Sequence, residues 1–118
     1  MSDRDGLIWM NGKFVPWRDA SVHVLTHTLH YGMGVFEGIR CYEIENGGAV
    51  FRLADHIERL FNSAKIFEIK IPYDETSIHA AVLDLIMKNS LKSCYIRPLV
   101  FYGSEKMVLS TKGCSVNV

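Results

Sequence analysis

The sequence predicts an α+β domain, in which an antiparallel or mixed sheet of hairpins carries two helices packed on one face. Two observations indicate this class. Apolar runs flank Asn11-Gly12, a pair that suits the positive φ angles of a type I′ hairpin turn, and a second pair of runs flanks Asn46-Gly47-Gly48. Between residues 52 and 89, apolar residues instead recur at spacings of three and four, which is typical of helices.

The first half of the chain is predicted to form two hairpins joined by a connecting segment. The first hairpin lies within "LIWMNGKFVPW", and the connection "DASVHVLTHTLHY" is poorly periodic, with room for one helical turn. In the second hairpin, one strand runs from Val35 to Tyr42 and the other lies in "AVFRL". Two hairpins therefore precede the first long helix.

Two helices and further strands follow. An apolar stripe predicts the first helix from Arg52 to Phe67, and Pro72 ends that pattern. Asp74 is a suitable N-cap for a second helix from Glu75 to about Asn89. The segment "SCYIRPLVFY" then returns to strand, and "KGCSVNV" begins another.

Composition limits the classes of function. The 118 residues suit one domain and leave no room for a second complete one. Thirteen basic and thirteen acidic side chains cancel, so a nucleic-acid partner is not expected. Neither a signal peptide nor a membrane-spanning run is predicted. Three dispersed cysteines argue against disulfides and favour a cytoplasmic protein.

The glycine-rich stretch "HYGMGVFEGIR" is the first candidate for a site. A dinucleotide-binding loop is disfavoured, because a strand follows the glycines where that motif needs a helix. On a strand, Phe36, Gly38 and Arg40 share one face, and Gly38 then leaves a gap that admits a flat ligand. Alternatively, Gly38 marks a bulge or a close backbone contact.

Two arginines are the next candidates. In "CYIRP", Tyr95 and Arg97 share a strand face and present donors suited to a carboxylate, while a surface salt bridge is the alternative for Arg97. Pro98 places this strand at an edge or a bulge. On the first predicted helix, Arg59 lies beside the apolar stripe, where it either meets an anion or extends over the core into solvent.

Histidines do not predict a metal site. His23, His27 and His30 have a spacing that would align them on a helix, but the β-branched residues between them disfavour that helix. The sequence spacing also supports no Ser-His-Asp or Cys-His arrangement. No metal is therefore expected.

Three segments occur in order along the chain: "HTLHYGMGVFEGIRCYE", "FRLADHIERLFNSAKIF" and "YIRPLVF". Together they resemble the N-terminal domain of the branched-chain amino acid aminotransferases, which are fold-type IV pyridoxal-phosphate enzymes. The resemblance runs from "IWMNGKFV" to about Phe101. The related D-amino acid aminotransferases and aminodeoxychorismate lyases share this layout without combining "FEGIR" and "YIRP". Another enzyme of this group, or a non-catalytic binding module, is the alternative.

The resemblance implies roles for particular residues. Arg59 would hold the phosphate of pyridoxal 5'-phosphate. Phe36 and Gly38 would line the substrate pocket, with Tyr95 and Arg97 at its carboxylate-binding side. Arg97 would also receive the distal carboxylate of glutamate, so that one pocket takes apolar and acidic side chains in turn.

The resemblance also implies that the site is shared. Tyr31 and Leu109 would reach the pocket of a neighbouring subunit, which makes the enzyme a homodimer or larger homo-oligomer. Its substrates would be leucine, isoleucine, valine, glutamate and their 2-oxo acids. The Schiff-base lysine belongs to a second domain, and none of the seven lysines here lies in a matching motif. Residues 1–118 are therefore expected to be the N-terminal domain, inactive alone.

Overall fold

The computed structural model describes residues 5–118. Two long helices and one short helix accompany eight short strands among them. The elements are β1 (Leu7–Met10), β2 (Lys13–Pro16), α1 (His27–Tyr31), β3 (Gly34–Phe36), β4 (Ile39–Ile44), β5 (Gly47–Val50), α2 (Leu53–Ile66), α3 (Glu75–Lys88), β6 (Cys94–Ile96), β7 (Leu99–Tyr102) and β8 (Val116–Asn117). All of the recorded strand pairs are antiparallel, so the predicted α+β class is confirmed.

The hairpins form where their turn residues predict them. Asn11 and Gly12 both have positive φ, 51° and 83°, and they connect β1 to β2. The second hairpin pairs β4 with β5 through a turn at residues 45–46, and Gly47 follows with a φ of 140°. The connecting segment contains a 3₁₀ turn, Trp17–Asp19, and the short helix α1.

Two predicted strands are each divided in two, which is the main difference from the sequence prediction. The strand expected from Val35 to Tyr42 forms β3 and β4 in different sheets, with the break at residues 37–38. The strand through "CYIRPLVFY" forms β6 and β7, with its break at residues 97–98. Pro98 has no N–H to donate, which accounts for the interruption on that side.

The broken strands still run side by side. β3 pairs with β7, β4 pairs with β6, and the Glu37 N–H donates to the Pro98 carbonyl at 3.1 Å between the two pairs. Burial keeps alternating across the break, because Val35, Glu37 and Ile39 are all buried. The two antiparallel pairs therefore form one bent ribbon.

Helix α2 lies over both parts of this ribbon. Its first half packs Leu53 and Ile57 against β4 and α3, and its second half packs Leu60 and Ala64 against β3 and β7. Asp74 begins α3 as predicted, since its Oδ1 accepts a hydrogen bond from the Ser77 N–H at 2.7 Å. That bond lowers the pKa of the Asp74 carboxyl.

Among residues 5–118, no helix combines the length and apolarity needed to cross a bilayer.

Candidate active site

A buried carboxylate lies at the break in the ribbon and faces helix α2. Glu37 is only 5% exposed, and its two oxygens accept three hydrogen bonds from α2. Arg59 donates from Nε to Oε1 at 2.6 Å and from Nη2 to Oε2 at 2.7 Å. His56, one turn earlier, bonds Oε2 through Nδ1 at 2.9 Å. The strand break and the helix thus build a three-residue cluster, which we call the Glu37 cluster.

The Glu37 cluster carries a fixed ion pair. The hydrogen bond from Arg59 is the main reason that the pKa of Glu37 falls from 4.5 to about 2, although burial opposes the fall and His56 assists it. The pKa of Arg59 is raised in turn by Glu37. The side chain of Arg59 remains 66% exposed, and only two of the five N–H groups of a guanidinium are bonded to Glu37. This anchored cation can bind an anion.

A second group of side chains surrounds Arg97 on the exposed face of the ribbon. The Arg97 guanidinium carbon lies 4.4 Å from the centroid of the Phe36 ring and 5.3 Å from that of Tyr95. Arg97 Nη2 donates to the Tyr95 hydroxyl at 2.8 Å. An apolar ring, a phenol and a cation therefore meet at one surface, as the shared faces of the strands predict; we call these residues the Arg97 cluster.

Gly38 lies directly under this cluster. A Cβ at position 38 would overlap the Tyr95 hydroxyl. The expected gap for a flat ligand is therefore filled by the phenol, and the close-contact alternative describes Gly38 in this structure. A role for Gly38 in lining a substrate pocket stays a prediction.

Tyr31 and Leu109 belong to two segments that His27 connects. His27 is fully buried, with its ring centroid 4.6 Å from that of Tyr31 and its Nε2 2.9 Å from the Val108 carbonyl oxygen. Leu109 itself is 82% exposed. Within residues 5–118, no recorded hydrogen bond or ring contact joins Tyr31 or Leu109 to the Arg97 cluster.

Sequence reasoning found both arginines but missed Glu37, His56 and His27 as structural partners. For Glu37 a signal was present, because strand alternation puts it on the buried face with Val35 and Ile39, and a buried carboxylate needs a donor. His56 lies three residues before Arg59, which places both on one helix face. His27 has no such signal in the local pattern.

Among the described residues, no group of three potential metal ligands comes together.

The fold and site define a domain with two solvent-facing arginine sites, one suited to an anion and one combining apolar and carboxylate-binding groups. A family model described as "Amino-transferase class IV" matches residues 34–117. This protein chain therefore belongs to the class IV aminotransferase family.

Relatives of known name agree with this assignment. The chain is 56% identical over its entire length to a branched-chain-amino-acid aminotransferase of Pseudomonas aeruginosa, and it spans 38% of that protein. The crystal structure of the Escherichia coli branched-chain amino acid aminotransferase superimposes with a TM-score of 0.92 at 45% identity, covering 97% of this chain and 38% of the other. The match thus spans about two fifths of these relatives.

A third similar structure is a branched-chain amino acid aminotransferase solved in complex with N-(5'-phosphopyridoxyl)-L-glutamate, which we call the glutamate-adduct relative. Its TM-score is 0.90 at 42% identity, and the match covers 98% of this chain and 40% of the other. The same enzyme has also been solved with 4-methylvaleric acid.

Proposed function

We propose that this domain is part of a branched-chain amino acid aminotransferase, which exchanges the amino group of leucine, isoleucine or valine with 2-oxoglutarate. The observation that carries the proposal is the Arg97 cluster. Its Phe36 ring offers an apolar contact for a branched side chain, and Arg97 with Tyr95 offers donors for a carboxylate. Both kinds of substrate can then use one surface in alternation.

The residues of the Glu37 cluster fit the phosphate of pyridoxal 5'-phosphate. Arg59 is anchored on one edge by Glu37 and keeps exposed donors, which is the donor set that a phosphate group requires. We assign Arg59 to that phosphate. When bound, pyridoxal phosphate supplies the electron sink for amino-group transfer, and this chain supplies binding and orientation.

The substrate-binding residues in the proposal are Phe36, Gly38, Tyr95 and Arg97. The ligands named for the glutamate-adduct relative, the adduct itself and 4-methylvaleric acid, have the two side-chain characters that such a surface must accept. Arg97 would pair with the distal carboxylate of glutamate. Phe36 would contact the branched side chain of leucine.

The catalytic lysine is proposed to lie in a second domain. All seven lysines of residues 1–118 are exposed, and none belongs to the Glu37 or Arg97 clusters. A Schiff-base lysine has to lie beside the bound cofactor, so none of these seven lysines suits the role. Residues 1–118 would then be the small N-terminal domain of the enzyme.

We further propose a homodimer or larger homo-oligomer in the cytoplasm. His27 joins the segment of Tyr31 to the loop around Leu109, and exposed apolar side chains, including Val24 and Leu29, lie in or just before the α1 segment. A surface of this kind commonly marks a protein contact, and both segments would complete the pocket of the neighbouring subunit.

Cys41, Cys94 and Cys114 are all unpaired thiols, which suits a reducing compartment.

The test of the proposal is the Arg97→Lys substitution in the complete enzyme. Lysine keeps the charge but loses the planar fork, so glutamate and 2-oxoglutarate should lose about 1.5–3 kcal/mol of binding. Leucine should lose much less, because its side chain meets Phe36. The measurement is kcat/KM for glutamate and for leucine.

The matched control is Arg52→Lys, which changes an exposed arginine that pairs with Asp55 on the surface of α2. It should leave both values of kcat/KM unchanged. Equal losses for glutamate and leucine in Arg97→Lys would remove Arg97 from the proposed role.

A further inference from the structure

We propose that Glu37 and His56 are positioning residues, which hold the Arg59 guanidinium in the orientation that binds the cofactor phosphate. This inference rests on the proposed function, because it concerns the same phosphate. Neither residue is expected to touch the cofactor itself.

The geometry of Glu37 supports this role. Its backbone is fixed at the strand break by the hydrogen bond to Pro98, and its buried carboxylate bonds the Nε and Nη2 edge of Arg59. A two-bond fork between planar groups determines the plane of the guanidinium as well as its position. An arginine that is 66% exposed would otherwise sample many rotamers. Glu37 thus leaves Arg59 one orientation, with its remaining donors facing solvent.

His56 fixes the carboxylate in turn. Its Nδ1 lies 2.9 Å from the same Oε2 that accepts from Arg59 Nη2, so Nδ1 must carry the donated proton. His56 and Arg59 lie three residues apart on α2 and approach Glu37 from the same helix face. With both oxygens bonded, the carboxylate cannot rotate without losing a hydrogen bond.

The charge of Glu37 allows two possible roles, shielding and positioning of Arg59, to be distinguished. A carboxylate beside a phosphate site cancels part of the attraction of Arg59 for the phosphate. If Glu37 only shielded Arg59, removing its charge would strengthen phosphate binding. If Glu37 positions Arg59, removing the charge weakens binding, because the guanidinium loses its fixed orientation.

The experiment measures the dissociation constants of pyridoxal phosphate and of pyridoxal, which lacks the phosphate, for the full-length apoprotein. Glu37→Gln should weaken pyridoxal phosphate by about tenfold, which corresponds to about 1.4 kcal/mol. Pyridoxal should bind as before. His56→Ala should cause a smaller loss, roughly threefold, because Glu37 keeps both of its hydrogen bonds to Arg59. His56→Asn, which keeps a side-chain N–H donor, should recover part of it.

The matched control is Glu43→Gln, which neutralises an exposed carboxylate that pairs with Lys92 on the same ribbon. It should leave both dissociation constants unchanged.

A second test combines Glu37→Gln with Arg59→Ala. Because Glu37 acts through Arg59, the Glu37 substitution should have no further effect once Arg59 is absent.

Three outcomes overturn the inference: tighter or unchanged pyridoxal phosphate binding in Glu37→Gln, equal losses for pyridoxal and pyridoxal phosphate, or additive losses in the double variant. The proposed cofactor role of Arg59 fails separately, if Arg59→Ala retains pyridoxal phosphate as well as the wild type. If Glu37→Gln does not fold, the His56 variants test the same idea, and unchanged pyridoxal phosphate binding in His56→Ala overturns it.

Discussion

Three consecutive residues at the bend of the ribbon make three different kinds of contact. Phe36 is 58% exposed and stacks with Arg97, Glu37 is buried against α2, and Gly38 makes room for Tyr95. Strand alternation separates the first two onto opposite faces. One short segment therefore supplies both arginine clusters, which explains why it combines an aromatic residue, a carboxylate and a glycine.

At this scale the lowered pKa of Glu37 predicts a pH dependence of stability. Its folded pKa of about 2 lies below the ordinary 4.5, so the ionised carboxylate stabilises the fold fully above pH ~4.5 and its contribution is lost as the pH falls toward 2. The difference in urea midpoint between wild type and Glu37→Gln should be constant near neutral pH and shrink across this window. A difference that persists undiminished at pH ~2 would contradict it.

Gly38→Ala should affect substrate binding more than folding. The added methyl group displaces the Tyr95 hydroxyl, and the exposed phenol can swing away at a cost of about 1 kcal/mol in the free energy of unfolding. The hydrogen bond from Arg97 to Tyr95 is then lost, so the KM for glutamate should rise by roughly tenfold in the complete enzyme.

Tyr95→Phe provides the control for this prediction, because phenylalanine removes the overlapping oxygen. Gly38→Ala should have a smaller effect on KM in that background. Independent, additive effects would show that the methyl group acts elsewhere. The measurements are KM for glutamate and the thermal midpoint of each variant.

At the scale of elements, the bent ribbon and α2 act as one unit. The helix spans both core clusters, and Glu37 is bonded to α2 at the point where the ribbon changes sheet. Because α2 touches both sheets, a change in the angle of the bend would disturb both cores. This arrangement keeps the two arginine clusters on a rigid frame, which suits a binding site.

The loop between β7 and β8 has a buried anchor in His27, which bonds the Val108 carbonyl. His27→Leu should loosen this loop, while Thr28 keeps α1 docked through its hydrogen bond from the Tyr102 N–H. Tryptic cleavage after the exposed Lys106 or Lys112 should become roughly tenfold faster, as for loss of one hydrogen bond.

The control for the loop is His79→Leu, which replaces a half-buried histidine on α3. It should not change cleavage after Lys106 or Lys112. Equal cleavage rates for wild type and His27→Leu would mean that the rest of the loop, including the bond from the Ser115 N–H to Glu105, holds it without the anchor.

At the scale of the whole molecule, the surface carries many exposed apolar side chains. Large apolar side chains are exposed at α1, in the segment before it and in the loop after β7. They include Val24, Leu29, Tyr31, Val108 and Leu109. The proposed homo-oligomer would cover these side chains, since exposed apolar patches commonly mark protein contacts. The relatives that the chain matches are more than twice as long.

Residues 1–118 prepared as a separate polypeptide should show no transamination. Arg59 is exposed, and none of the seven lysines belongs to the Glu37 or Arg97 clusters, so neither firm cofactor binding nor a Schiff base is expected. The measurement is amino-group transfer from leucine in the presence of pyridoxal phosphate, followed by borohydride reduction and peptide mapping. A single reduced lysine together with turnover would contradict the expectation.

The local elements of this protein are encoded in short stretches of its sequence. Asn11-Gly12 encodes its turn, Asp74 encodes the start of α3, and the apolar spacing encodes both long helices, because each signal lies within a few neighbouring residues. The motifs around Phe36 and Arg97 also identified the family before any coordinates.

Contacts between side chains that are distant in the sequence depend on how the elements pack. Glu37 and Arg59 are separated by 22 residues, and His27 and Val108 by 81. Such contacts are selected by the packing of whole elements, because the burial of apolar faces brings together segments that are far apart in the sequence.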